Sequence, residues 1–138
     1  RYATGENGTV RLTSVPPGSW EVLAGSSGTA TASFMATAPG AANRVSLPPA
    51  TDLEVLVPEL AGSGSIATVR VVGSDGRPFR SIAWWGSTAS EWPMSDGRLE
   101  FRSLPPGSWI VRVTAPDGKS WEGTTSTMAG TPAQLTLN

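Results

Sequence analysis

Histidine and cysteine are both missing from these 138 residues. Their absence excludes disulfides, thiolate zinc sites and every nucleophile that relies on a Ser-His or Cys-His pair. Lysine occurs once, at Lys119, so arginine carries almost all of the positive charge. The formal net charge is −1. A chain without basic excess lacks the counterion-release term that drives nucleic-acid binding, and it has no attraction to an anionic bilayer surface. No apolar run approaches the length of a membrane span. The longest uncharged stretch, Val22 to Asn43, is Ala, Ser, Thr and Gly with Pro39 inside, and reads as a β-hairpin. The chain opens at Arg1 without a methionine or a visible signal peptide, as expected of a processed chain or a piece of a longer one.

Turn formers are abundant, with 16 glycines and 12 prolines and no collagen-like period. Many short elements joined by tight turns follow. The organising feature is a duplication. Ser14-Val15-Pro16-Pro17-Gly18-Ser19-Trp20 returns as Ser103-Leu104-Pro105-Pro106-Gly107-Ser108-Trp109, at an offset of 109 − 20 = 89 residues. Asn7-Gly8 answers Asp96-Gly97, Val10 and Leu12 answer Leu99 and Phe101, and Val22 answers Val111. After a one-residue insertion, Val45 and Leu47 answer Leu135 and Leu137. An offset near 90 residues is the size of one β-sandwich unit. The first copy has too few residues before Gly8 to be whole. The expected organisation is therefore the C-terminal part of a first module over residues 1–50 and a complete second module over 51–138, joined by the proline-rich Leu47 to Asp52 segment.

Asp-Gly recurs at Asp75-Gly76, Asp96-Gly97 and Asp117-Gly118, spaced by 96 − 75 = 117 − 96 = 21 residues. Asp-Gly favours the type I′ hairpin turn, which needs positive φ at both central residues. Between these turns apolar residues alternate: Leu53, Val55 and Val57; Val69 and Val71; Ile82 and Trp84; Leu99 and Phe101; Trp109, Val111 and Val113; Leu135 and Leu137. Such alternation marks strands with one buried and one wet face, paired antiparallel. The first copy reads likewise, through Val10 and Leu12, Trp20 and Val22, Phe34, and Val45 and Leu47. Pro16-Pro17-Gly18 and Pro105-Pro106-Gly107 read as rigid bends feeding the next strand.

The run from Asp96-Gly97-Arg98-Leu99-Glu100-Phe101 through Leu104-Pro105-Pro106-Gly107-Ser108-Trp109-Ile110-Val111 resembles carboxypeptidase regulatory-like and transthyretin-like β-sandwich domains. Ser74-Asp75-Gly76-Arg77-Pro78 is similar to an earlier hairpin of that family. The resemblance covers most of 51–138 and, in the shortened copy, 5–48. It departs at Trp20 and Trp109, where the family usually has tyrosine. It implies an all-β fold of tandem antiparallel Greek-key sandwich modules, Ig-like or prealbumin-like, the first one incomplete. It also implies a spacer, adhesive or assembly role in an exported bacterial protein, extracellular, at the cell surface or in the periplasm. Related collagen-adhesin modules can carry a Lys–Asn crosslink. Lys119 sits beside a turn tip, so no such bond is expected within this chain.

Candidate sites follow from what remains. Asp75, Asp96 and Asp117 are explained by turn geometry, and each loop carries only single acidic residues, so no calcium loop, metal site or cofactor site is expected. No serine has a base beside it, and no catalytic residue is expected. Six tryptophans stand against one tyrosine and three phenylalanines. Trp20, Trp84 and Trp109 fall on apolar faces. Trp85 must then point outward, Trp92 lies in a loop, and Trp121 follows a turn and is ambiguous. Trp85, Trp92 and Trp121 are thus the candidate contact residues, for protein partners or for sugar rings; the plain alternative is that Trp85 and Trp92 pack on each other, under a loop or against the neighbouring module. A module lacking its first strands would expose sheet edges and half a core, and self-assembly with other subunits follows as the leading expectation. A carbohydrate-binding module is the alternative, and a simple cut at this point would account for the shortened copy without any partner.

Overall fold

The computed structural model describes residues 8–26, 28–40, 43–82 and 88–138. Trp84, Trp85 and Asn7 lie outside them. Among the described residues there is no α-helix, and no helix is long and apolar enough to cross a membrane. The strands are β1 (Gly18–Ala24), β2 (Ala32–Ala38), β3 (Thr51–Leu56), β4 (Ile66–Gly73), β5 (Ser81–Ile82), β6 (Thr88–Ala89), β7 (Trp92–Ser95), β8 (Arg98–Leu104), β9 (Gly107–Thr114), β10 (Ser120–Thr127) and β11 (Ala133–Thr136). A 3-10 turn, Pro58–Leu60, follows β3.

Seven strands form one mixed sheet in the order β10-β9-β4-β7-β8-β3-β11, and β1-β2 and β5-β6 form two-stranded sheets. The expectation of purely antiparallel pairing is corrected here: β11 runs parallel to β3, with Leu135 opposite Val55. The seven-stranded sheet nearly closes on itself. Its end strands β10 and β11 meet through Gly123, where an added Cβ would lie 2.5 Å from Leu137 Cδ2. The missing side chain lets Leu135 and Leu137 pack against β10. At the other side, β7 and β8 share one residue pair, Ser95 with Arg98.

Alternation places the core as expected on β3, β4 and β9: Leu53, Val55, Val69, Val71, Val111 and Val113 are fully buried. Strand β8 departs from it. Leu99 and Phe101 face inward, but so does Leu104, three positions on. A bulge in β8, where Arg102 and Ser103 stand against the single residue Asp52 of β3, shifts the register, and the inverted parity brings Leu104 into the core. Thr51 Oγ1 donates to Leu104 O at 2.9 Å and secures that shift.

The three Asp-Gly turns are not alike. Only Asp96-Gly97 has positive φ at both residues, 56° and 72°. At Asp75-Gly76 and Asp117-Gly118 the glycine alone does, at 81° and 90°. In both of those turns the aspartate Oδ1 accepts the amide two residues on, Arg77 N and Lys119 N, each at 2.9 Å. Neither aspartate takes a positive φ, and the loop is one residue longer than the one Ser95 and Arg98 close. Asp96 instead accepts the amide of Gly62, tying its turn to the 3-10 segment. Gly97 packs so closely there that a Cβ would lie 2.4 Å from Val57 O.

Two expected strands of the first copy do not form ladders among the described residues. Val10 and Leu12 lie in irregular chain, as do Val45 and Leu47. Their counterparts Leu99, Phe101, Leu135 and Leu137 pair with strand β3, and no strand equivalent to β3 lies beside the first copy among the described residues.

Candidate interaction site

The hairpins β1-β2 and β9-β10 are equivalent residue for residue. Gly18 pairs with Ala38 and Ala24 with Ala32; Gly107 pairs with Thr127 and Val113 with Trp121, each position displaced by the same 89 residues. Both hairpins begin at the glycine after the Pro-Pro bend, with φ of 139° at Gly18 and 156° at Gly107. Their tips match too: Thr29 N bonds Ser26 O at 3.1 Å, and Gly118 N bonds Ala115 O at 3.0 Å. Upstream the two bends differ. Ser14 has φ of 58°, whereas Ser103 continues strand β8.

The cover over the two hairpins differs sharply. Trp109 meets Phe79 edge-on at 5.9 Å, Phe79 stacks on Trp92 at 5.5 Å, and Trp92 meets Phe101 edge-on at 5.2 Å. This aromatic chain closes the core beside β9. The indole N–H of Trp109 donates to Thr127 Oγ1 at 3.1 Å, and that hydroxyl donates to Pro105 O at 3.0 Å. In the first copy an alanine, Ala38, takes the place of Thr127, and Trp20 Nε1 donates directly to the equivalent carbonyl, Pro16 O, at 2.9 Å. The bend is therefore closed by the same carbonyl and the same ring, with one hydroxyl inserted in the second copy.

Trp20 was expected in a core, and it is 42% exposed. Val10 and Leu12 are exposed at 53% and 44%, whereas Phe101, the counterpart of Leu12, is exposed at 4%. The physical reason is the absence, among the described residues, of any counterpart to Phe79, Trp92 and β4 over the first hairpin. Among the described residues, strand β1 pairs with β2 on one side only. Strand β5 comes near β1 through an ion pair between Arg80 and Glu21, with no ladder between them. Glu21 also accepts the Ser33 hydroxyl at 2.9 Å. That hydrogen bond first, and the Arg80 guanidinium second, hold the Glu21 carboxyl below the ordinary glutamate range.

The candidate contact tryptophans are corrected in part. Trp121 is 7% exposed and belongs to the core, with Lys119 Nζ at 5.5 Å from its ring centroid. Trp92 is half-buried and has one face covered by Phe79. Neither ring is laid open for a sugar to stack on. Both sit on strands whose alternation turns them inward. Trp85 lies outside the described residues. Sequence reasoning missed Phe79 and Thr127, which complete the cover. The hairpin register, twenty positions from Gly107, was the one available signal for Thr127.

The carboxylates disperse rather than converge. Glu91 pairs with Arg70, Glu122 with Arg112, Glu100 with Arg102 and Glu59 with Lys119. Glu54 accepts Gln134 Nε2 and Arg98 Nε, both at 2.7 Å, and these bonds, Gln134 first, lower its pKa. Among the described residues no three acidic groups gather closely enough to hold a metal ion. Among the described residues, the first hairpin and the chain before it leave Val10, Leu12 and Trp20 exposed, and β1 has a strand partner on one side only. No family model matches the chain, and no curated protein or solved structure matches it.

Proposed function

We propose that the chain is a non-catalytic structural module of an extracellular or cell-surface bacterial protein, which assembles with other subunits through strand edges. In this proposal it consists of tandem Greek-key β-sandwich units of the carboxypeptidase regulatory-like and transthyretin-like kind, residues 1–50 being part of the first and 51–138 the whole of the second. One observation carries it: two hairpins of identical register differ in cover, so that Trp20 is exposed where Trp109 is part-buried against the core. An uncovered apolar face beside an unpaired edge is the usual substrate for strand addition. The sandwich reading draws support from the single Ser95–Arg98 pair, which leaves β10-β9-β4-β7 and β8-β3-β11 as two halves contributing to one core. The parallel β3-β11 pair brings the end of the second unit back to its beginning. Glycan binding draws no support from Trp92 or Trp121.

Sedimentation velocity and negative-stain electron microscopy test the assembly. The chain is expected to associate with increasing concentration. The triple variant Val10→Glu, Leu12→Glu, Trp20→Glu is expected to stay monomeric while amide protection over 51–138 is unchanged. A chain that stays monomeric at millimolar concentration, with protected amides throughout 9–47, refutes the proposal.

A further inference from the structure

The tetrapeptide Ser-Asp-Gly-Arg occurs at 74–77 and again at 95–98, and the fold holds the two copies differently. We infer that Asp75-Gly76 is a site of spontaneous isoaspartate formation, that Asp117-Gly118 is a second, and that the folded chain shuts Asp96-Gly97 out of the reaction. The chemistry needs no enzyme. The glycine nitrogen attacks Cγ of the protonated aspartate, an N–Cγ bond forms, and the amide proton leaves with the carboxyl hydroxyl as one water. Water then adds to either carbonyl of the resulting succinimide and breaks its bond to nitrogen. One opening restores aspartate. The other routes the main chain through Cβ and Cγ and leaves the α-carboxylate as the side group. Ring closure requires the carboxyl to reach the next nitrogen and the Asp–Gly peptide plane to turn, which carries the glycine with it.

At Asp75 both conditions are met. Asp75 Oδ1 accepts the Arg77 amide at 2.9 Å, which folds the carboxyl back over the Asp–Gly peptide. Asp75 and Gly76 are exposed, and among the described residues nothing lies within 4 Å of a Cβ added at Gly76. The Gly76 amide donates to Gly73 O at 3.0 Å, a surface bond that water can replace. The Asp117 turn repeats this arrangement, with Lys119 N on Asp117 Oδ1 at 2.9 Å, Gly118 N on Ala115 O at 3.0 Å and the same open space at Gly118. Asp96 fails on both counts. Its carboxylate is drawn away to the Gly62 amide. Gly97 is buried, an added Cβ there would meet Val57 O at 2.4 Å and Ala61 N at 3.1 Å, and Gly97 O accepts Val57 N at 2.8 Å. Its peptide plane cannot turn until the 3-10 segment opens, and that opening limits the rate. The change at Asp75 reaches the core. One added backbone carbon lengthens the turn that returns Pro78 and Phe79 to β4, where Phe79 N bonds Val71 O at 2.7 Å and the ring stacks on Trp92.

The intact chain is incubated for weeks at neutral pH, beside a sample held unfolded in urea. Trypsin, which spares Arg77-Pro78, puts the three sites on separate peptides, 71–80, 81–98 and 113–119. Isoaspartate is read from chromatographic retention and from methyl transfer by an isoaspartyl-specific methyltransferase. In the folded chain it is expected to accumulate at Asp75 and Asp117 at least about tenfold faster than at Asp96. In urea the two Ser-Asp-Gly-Arg copies are expected to convert alike. Asp75→Glu, which keeps the charge and prevents the five-membered ring, is expected to remove the signal from 71–80 alone. Equal rates at Asp75 and Asp96 in the folded chain, or no isoaspartate at Asp75, overturn the inference. So does a contrast that persists in urea, because the fold is then not its cause.

Discussion

Replacing Thr127 with valine removes one oxygen and keeps the volume. Thr127 is 2% exposed, and its hydroxyl joins Trp109 Nε1 to Pro105 O by bonds of 3.1 and 3.0 Å. The substitution strands a ring N–H and a carbonyl. A buried polar group left without a partner costs ~1–3 kcal/mol. Both groups are only part-buried, so water recovers some of that loss, and ~2 kcal/mol is the expected total. Trp109 could escape by swinging onto Pro105 O, as Trp20 does on Pro16 O. The Phe79 ring on its edge opposes the swing. Urea denaturation followed by tryptophan fluorescence measures the change, and a fall in melting temperature of about 6–10 °C accompanies it. Thr127→Ser keeps the hydroxyl and should cost less than ~1 kcal/mol. Trp109→Phe combined with Thr127→Val should cost less than the sum of the two, because both break one bond. A valine variant within ~0.5 kcal/mol of the parent would refute the claim that this hydroxyl closes the bend.

Gly97→Ala is expected to cost more than ~2 kcal/mol, since positive φ strain adds to a Cβ 2.4 Å from Val57 O. Gly118→Ala, with open space around it, should cost only ~1 kcal/mol of φ strain in the same urea titration. Gly123→Ala should destabilise by ~1–3 kcal/mol and loosen β11, read as faster amide exchange over Ala133–Thr136, because Leu137 must move aside. Acid should weaken the β3-β11 edge. The folded pKa of Glu54 lies below its unfolded value, so its contribution is whole above the ordinary glutamate pKa of ~4.3 and is lost as pH falls through the lower folded value. Acid titration of Glu54→Gln should lack that component, and since Glu54 and Arg98 are solvent-accessible, salt should diminish it in the parent.

The local structure was largely legible. The repeat offset carried over to the pairing of both hairpins, and alternation marked the buried faces of β3, β4 and β9, because each depends on residues close in sequence or on strict period-two geometry. The direction of β11 was not legible: Leu135 and Leu137 alternate identically in a parallel or an antiparallel neighbour. Leu104 was hidden by a bulge in its own strand, where Arg102 and Ser103 oppose Asp52 alone. The three Asp-Gly pairs share a dipeptide but differ in loop length, which is decided by where the flanking strands end. Trp20 and Trp109 sit in matching motifs, and their burial depends on Phe79 and β4, far from either motif.

That contrast bears on how the first hairpin persists at all. A hairpin closes over few residues and forms from local contacts, whereas its cover must arrive from a distant segment. Two strands alone are marginal in water, and a third strand or a packed face is needed for independent stability. Hairpin β9-β10 has both, in β4 and the Phe79–Trp92–Phe101 chain. Hairpin β1-β2 has the ion pair from Arg80 to Glu21, a bridge from Thr29 to Pro49 and the bond from Ala30 N to Pro48 O. An exposed ion pair adds little, so the hairpin should open at a free energy well below that of the seven-stranded sheet. A strand added along β1 then acts twice, burying Trp20 and Val22 and turning a two-stranded ribbon into a three-stranded sheet. In the proposed assembly, partner binding and local folding of the β1-β2 hairpin would for that reason be one coupled equilibrium, and the affinity at this edge would be the interaction free energy less the cost of ordering the hairpin.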